Sequence, residues 1–93
     1  MLSVIWTNQF KKDYKLCIKQ GKDITKIDNV IRTLSNGEKL PESYRDHSLS
    51  GSFSGYRECH IQPDWLLIYK INNSELVLIL VSTGSHSNLF KKN

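Results

Sequence analysis

All three histidines of this 93-residue chain fall in its second half. Two of them stand in polar and aromatic clusters, Arg57-Glu58-Cys59-His60-Ile61-Gln62-Pro63-Asp64-Trp65 and Thr83-Gly84-Ser85-His86-Ser87-Asn88-Leu89-Phe90, and the third, His47, follows Asp46. Imidazole titrates nearer neutrality than any other side chain, so histidines beside a carboxylate and aromatic rings suit proton transfer on a substrate that also stacks. Cleavage of RNA fits that description. It needs a base to take the 2'-hydroxyl proton, an acid to protonate the leaving 5'-oxygen, and positive charge near the phosphate. Two histidines, or a histidine and a carboxylate, meet the first two needs, and Trp65 and Phe90 offer rings for a base. The cation would come from Arg57, Arg45, Lys70, Lys91, Lys92 or a protonated histidine. Taken singly, a strand-end histidine is usually a surface residue and an isolated Trp or Phe usually packs in or near the core. Their grouping is what points to chemistry. A zinc site made from His47, His60, Asp64 and His86 lacks the short spacings of such sites, and no metal or cofactor is expected.

The 13 Lys and Arg outnumber the 9 Asp and Glu, for a formal charge of +4. That favours a polyanion or an acidic protein as partner, although a small basic domain can carry this charge for solubility alone. The length fits one domain over residues 1–93 with one modest core and one site. Cys17 and Cys59 are far apart, without the spacing of a redox or zinc motif, and read as reduced, buried thiols. The apolar start Leu2 to Trp6 is too short for a signal segment and no later run approaches a membrane span, so a cytoplasmic protein is expected.

The elements that must position these residues follow from periodicity. Leu2 to Trp6 reads as a buried strand, with Thr7 or Asn8 capping a helix over Asn8 to Gln20 whose buried stripe is Phe10, Tyr14, Cys17 and Ile18. Gly21 breaks that helix. Asp23 caps a second one, with Ile24, Ile27, Ile31 and Leu34 inward, ended by Asn36-Gly37. Glu38 to Ser52 shows no period and reads as a long loop holding Tyr44, Asp46 and His47. Tyr56 to Ile61 alternates as a strand, with Tyr56, Glu58 and His60 on one face and Arg57, Cys59 and Ile61 on the other. Trp65 to Ile71 and Leu76 to Val81, apolar on both faces, form a hairpin through Asn72-Asn73-Ser74, its second strand central, and Ser85 could cap a short terminal helix. The class is α+β. The turn at Gln62-Pro63-Asp64 brings His60, Asp64 and Trp65 to one end of the sheet, and the meander returns His86 beside them.

As a pattern, Asp46-His47-Ser48-Leu49-Ser50-Gly51, Tyr56 through Tyr69 and Gly84-Ser85-His86-Ser87-Asn88-Leu89-Phe90, together with Phe10-Lys11-Lys12-Asp13-Tyr14 and Leu40-Pro41, resembles the YafQ branch of the RelE-like toxins over essentially the whole chain. The resemblance implies a βααβββ fold with the helices on one face of an antiparallel meander. It implies the toxin half of a bacterial type II toxin–antitoxin pair, an endoribonuclease that cuts mRNA on the translating ribosome without metal. It assigns His47, His60, Asp64 and His86 to catalysis, with His86 as general acid and Asp64 or His60 as base. Trp65 and Phe90 hold or orient the mRNA, and Arg57 and Lys91 are further RNA-binding candidates. The implied partners are an antitoxin, the ribosome with its mRNA, and operator DNA only through the antitoxin complex, with no membrane. One residue departs from the family pattern: Ser82 stands where an arginine precedes the Gly-Ser-His motif by two positions, and serine supplies no fixed charge. A catalytically impaired homologue that mainly binds its antitoxin and regulates its operon is the alternative.

Overall fold

Thr7 turns the first strand into the first helix. In the computed structural model, which describes residues 1–90, strand β1 (Ser3–Trp6) leads into helix α1 (Asn8–Lys19), and the Thr7 hydroxyl accepts the Phe10 N–H at 3.1 Å. The same hydroxyl lies 2.9 Å from the Leu80 carbonyl and 3.0 Å from that of Val81, so it also ties the helix start to strand β5 (Val77–Gly84). Helix α2 (Ile24–Ser35) is capped by the Asp23 carboxylate, which accepts from the Thr25 N–H. Gly21 and Gly37, at φ of 76° and 77°, take the left-handed conformation that ends a helix without Cβ strain.

Strands β3 (Arg57–Gln62) and β4 (Trp65–Asn72) complete the predicted meander with β5. The helix hairpin covers one face of the sheet: Phe10 and Cys17 of α1 and Ile27, Val30 and Leu34 of α2 bury against Cys59, Ile61, Trp65, Leu67, Tyr69, Leu78 and Leu80. Ile18, expected in the α1 stripe, is 53% exposed, because Cys17 takes the inward position just before it. The opposite face has its own buried floor, Leu66 and Ile68 of β4.

The sheet order is β1-β5-β4-β3-β2, with β1 parallel to β5 and every other pair antiparallel. The long loop is more ordered than its lack of period suggests. It contains 3-10 turns at Glu42–Tyr44 and Gly51–Phe53 and a two-residue strand, β2 (His47–Ser48), that makes the sheet five-stranded. Two residues are too few to show a pattern. β5 is interior, between β1 and β4, but begins at Val77 and continues to Gly84. The hairpin turn occupies residues 73–76, held by Asn72 Oδ1 accepting from the Glu75 N–H at 3.1 Å, with Leu76 at φ 55°.

Two bulges set which residues face which way. On β3, His60 pairs with Leu66 and Gln62 with Trp65, leaving Ile61 extra; on β5, Ser82 pairs with Ile68 and Leu80 with Tyr69, leaving Val81 extra. An unpaired residue reverses the alternation beyond it. Hence Leu80 faces the helices, Ser82 and Gly84 face away from them, and Thr83 returns to the core.

Candidate active site

The face away from the helices carries the histidines. Alternation along β3 puts Glu58 and His60 there, and the pairing of His47 with Glu58 across β2 and β3 adds His47. Glu58 Oε1 lies 3.5 Å from His47 Nε2 and 3.5 Å from His60 Nε2, and the two imidazole rings are 6.4 Å apart, centre to centre. Glu58 itself is 5% exposed. A carboxylate withdrawn from water orients polar neighbours strongly because few solvent dipoles compete with them. His47 is held from its other side, where Nδ1 lies 2.6 Å from the Arg45 carbonyl. A carbonyl only accepts, so Nδ1 carries the hydrogen, and Nε2 is the ring atom that faces Glu58.

His60 pairs with Leu66, and Leu66 pairs with Gly84, so one row crosses three strands over roughly 10 Å. Asp64 is exposed in the turn just before β4, and His86 opens helix α3 (His86–Leu89) just beyond Gly84. Both therefore stand at the His60 end of the sheet. The α3 turn is capped by Ser85, whose hydroxyl accepts the Asn88 N–H at 3.2 Å. The His86 ring packs on Phe90 with centres 4.8 Å apart, and Phe90 meets Phe53 of the preceding loop edge-on at 5.3 Å. Phe90 thus braces His86 with one neighbour and is braced by another.

Other expected site residues lie elsewhere. Trp65 is 1% exposed in the core between sheet and helices, and its indole N–H donates to Thr83 Oγ1 at 3.0 Å. The expected stacking face is not available, because the first residue of β4 points toward α1 and α2. Thr83 in turn donates its hydroxyl to the Leu66 carbonyl at 2.7 Å and its N–H to Asp13 Oδ2 at 3.1 Å, linking β5, β4 and α1. Arg57 sits on the helix face of β3, opposite His60, with Nε 3.3 Å from Asp46 and a hydrogen bond of 2.8 Å to Ser48. The Tyr69 hydroxyl and Asp46 hold the guanidinium above its ordinary pKa, while burial and then Asp46 push the Tyr69 phenol up. Arg57, expected as an RNA contact, is engaged in this network on the face opposite His60. Lys91 lies outside the described residues.

Glu58 was not among the residues singled out for the site. Its place beside His60 on an alternating strand was visible in sequence, but its contact with His47 depends on β2.

The profile of a family described as bacterial toxin of type II toxin-antitoxin system, YafQ, matches residues 2–91. The chain belongs to this family. It is 42% identical to the mRNA interferase toxin YafQ of Escherichia coli K12 over 86 residues, 91% of each chain. The crystal structure of YafQ from E. coli BL21(DE3) shares its fold with a TM-score of 0.90 and 38% identity, covering 97% of this chain and 99% of that one. A chain of the E. coli DinJ–YafQ complex does so with a TM-score of 0.88, 40% identity and the same coverage. These YafQ structures bear out the α+β sheet with its helices on one side. No helix among the described residues of this YafQ-family toxin is long and apolar enough to cross a membrane.

Proposed function

We propose that this YafQ-family toxin is a ribosome-dependent endoribonuclease that cuts mRNA by general acid–base catalysis and so stops translation in the cytoplasm. The observation that carries it is the buried Glu58 carboxylate standing between the Nε2 atoms of His47 and His60. Such an arrangement fixes two imidazoles for proton transfer at one surface. The relatives named as mRNA interferase toxins support the substrate class. In the reaction, the 2'-oxygen attacks the adjacent phosphorus as His60 or Asp64 takes its proton. The bond from phosphorus to the 5'-oxygen breaks as His86 protonates that oxygen, leaving a 2',3'-cyclic phosphate that water can open to a 3'-phosphate. Protein side chains hold and move both protons, and no metal takes part.

The protein partner is a cognate antitoxin, supported by the DinJ–YafQ complexes; operator DNA is met only through that pair. One specific feature favours a second function. Ser82 lies on the site face, paired through Ile68 with the Glu58 row, where a fixed cation would face the reacting phosphate. A protein without that charge would serve mainly as an antitoxin-binding repressor.

Primer extension on a defined mRNA with purified ribosomes separates the two. New ends with the unaltered protein, absent with His86→Ala and persisting at EDTA concentrations that spare the ribosome, are the expected result. No cleavage by the unaltered protein would leave the repressor function.

A further inference from the structure

β2 pairs with Arg57 and Glu58, and among the described residues no strand lies beside the outer edge of β3 beyond Glu58. The 3-10 turn at Glu42–Tyr44 lies there instead, and between them opens a groove of about 420 Å³ whose walls include Ser43, Tyr44, Arg45, His60, Gln62 and Pro63. Among the described residues no carboxylate lines it. Among the described residues Arg45 is its one arginine or lysine, and the ion pairs of those residues, His47 and His60 with Glu58 and Arg57 with Asp46, leave Arg45 out. Arg45 is exposed and takes a left-handed backbone at φ 50°, ψ 42°, rare for a residue with a Cβ. Its carbonyl receives the His47 Nδ1–H, so one residue both fixes His47 and walls the groove with His60.

Among the described residues the other cations near the site are placed less well. Arg57 is held by Asp46 on the opposite face. Lys70 lies over the Tyr56 ring at 5.5 Å and is four residues along β4 from Leu66, the partner of His60, roughly 13 Å away. Ser82 carries no charge. Arg45, by contrast, also borders a second groove of about 300 Å³ with Lys39 and Glu42, where Asp46 and Arg57 neutralise each other. A strand of RNA passing Lys39 would meet Arg45 before His60.

We propose that Arg45 supplies the fixed positive charge of this site, binding an RNA phosphate in the groove beside His60 in place of the arginine that Ser82 replaces. The assignment rests on the nuclease function proposed above.

Arg45→Gly and Arg45→Lys test it. Glycine accepts the left-handed backbone without strain and keeps the carbonyl for His47, so the Gly variant removes the side chain while sparing the fold. Binding of a fluorescein-labelled, 2'-O-methyl single-stranded oligonucleotide, which cannot be cut, is followed by anisotropy against salt, alongside cleavage on programmed ribosomes. Arg45→Gly should weaken binding about tenfold at low salt and flatten the log–log salt slope by about 0.7, the loss of one phosphate contact, while Arg45→Lys keeps the slope. Cleavage by Arg45→Gly should fall by about tenfold or more. If the unaltered protein cuts, and Arg45→Gly binds with the same slope and cuts as fast, the Arg45 assignment is overturned and the nuclease function stands. An unaltered protein that does not cut overturns that function and the assignment together.

Discussion

Glu58 and His47 face each other across the shortest strand pair of the sheet, and the carboxylate oxygen 3.5 Å from His47 Nε2 is equally close to His60. A two-residue strand thus brings a loop histidine and a strand histidine to one buried acceptor. Glu58 acts through both rings, which makes it a positioning residue.

Glu58→Gln keeps the size of the side chain and removes its charge. We expect cleavage to fall at least about tenfold, because both imidazoles lose the carboxylate that holds them. Thermal unfolding should stay close to that of the unaltered protein. Cleavage as fast as the parent's would remove Glu58 from the machinery, and a slower rate matched by an equal loss of stability would assign it a purely structural role.

Trp65 makes the opposite prediction. Its indole N–H satisfies Thr83 in the core, so Trp65→Phe loses a buried hydrogen bond and opens space, destabilising the fold by about 1–3 kcal/mol through the hydrogen bond alone. Urea denaturation measures this. A variant as stable as the parent but weaker in RNA binding would restore Trp65 as a stacking residue.

Burial raises the thiol pKa of Cys59 well above its ordinary value and that of Cys17 above its own. The thiolate is the reactive form, so neither should react with iodoacetamide at pH 8 until denaturant is added, as mass spectrometry would report. In the unfolded chain both ionise near pH 8.5, while the folded chain keeps their protons. The folded state then binds more protons, so stability is fully present below that pH and falls above it, by about 1.4 kcal/mol per pH unit for the fully buried Cys59. Urea midpoints that do not move between pH 8 and 10 would contradict this.

Ser82→Arg places a guanidinium on the site face, in the row shared by Ile68 and Glu58. With Arg45 supplying the cation, cleavage should stay within about twofold of the unaltered protein. A rise toward about tenfold in the primer-extension assay would show that the phosphate lacks charge and that Arg45 does not supply it.

Much of the scaffold was legible because local chemistry specifies it. Asp23 and Thr7 cap their helices, Gly21 and Gly37 end them, and β4 is apolar on both faces because helices cover one and the site face has a buried floor. Alternation along β3 correctly separated His60 and Glu58 from Arg57 and Cys59. The grouping of His60, Asp64 and His86 at one sheet end followed from the meander alone.

What remained depends on contacts distant in the chain. β2 exists only because β3 offers it an edge, and without it His47 would have no reason to meet Glu58. Trp65 looked like a site residue by its neighbours, yet its ring partner is Thr83, eighteen positions away and turned inward by the bulge at Val81. A bulge has no clear mark in a run of Leu, Ile and Val, because every one of those residues suits either face. The sequence by itself determined the two long helices, the longer strands, their order and the chemical types at the site; tertiary pairing decided β2 and which side chains share a face, since one unpaired residue reverses every position after it.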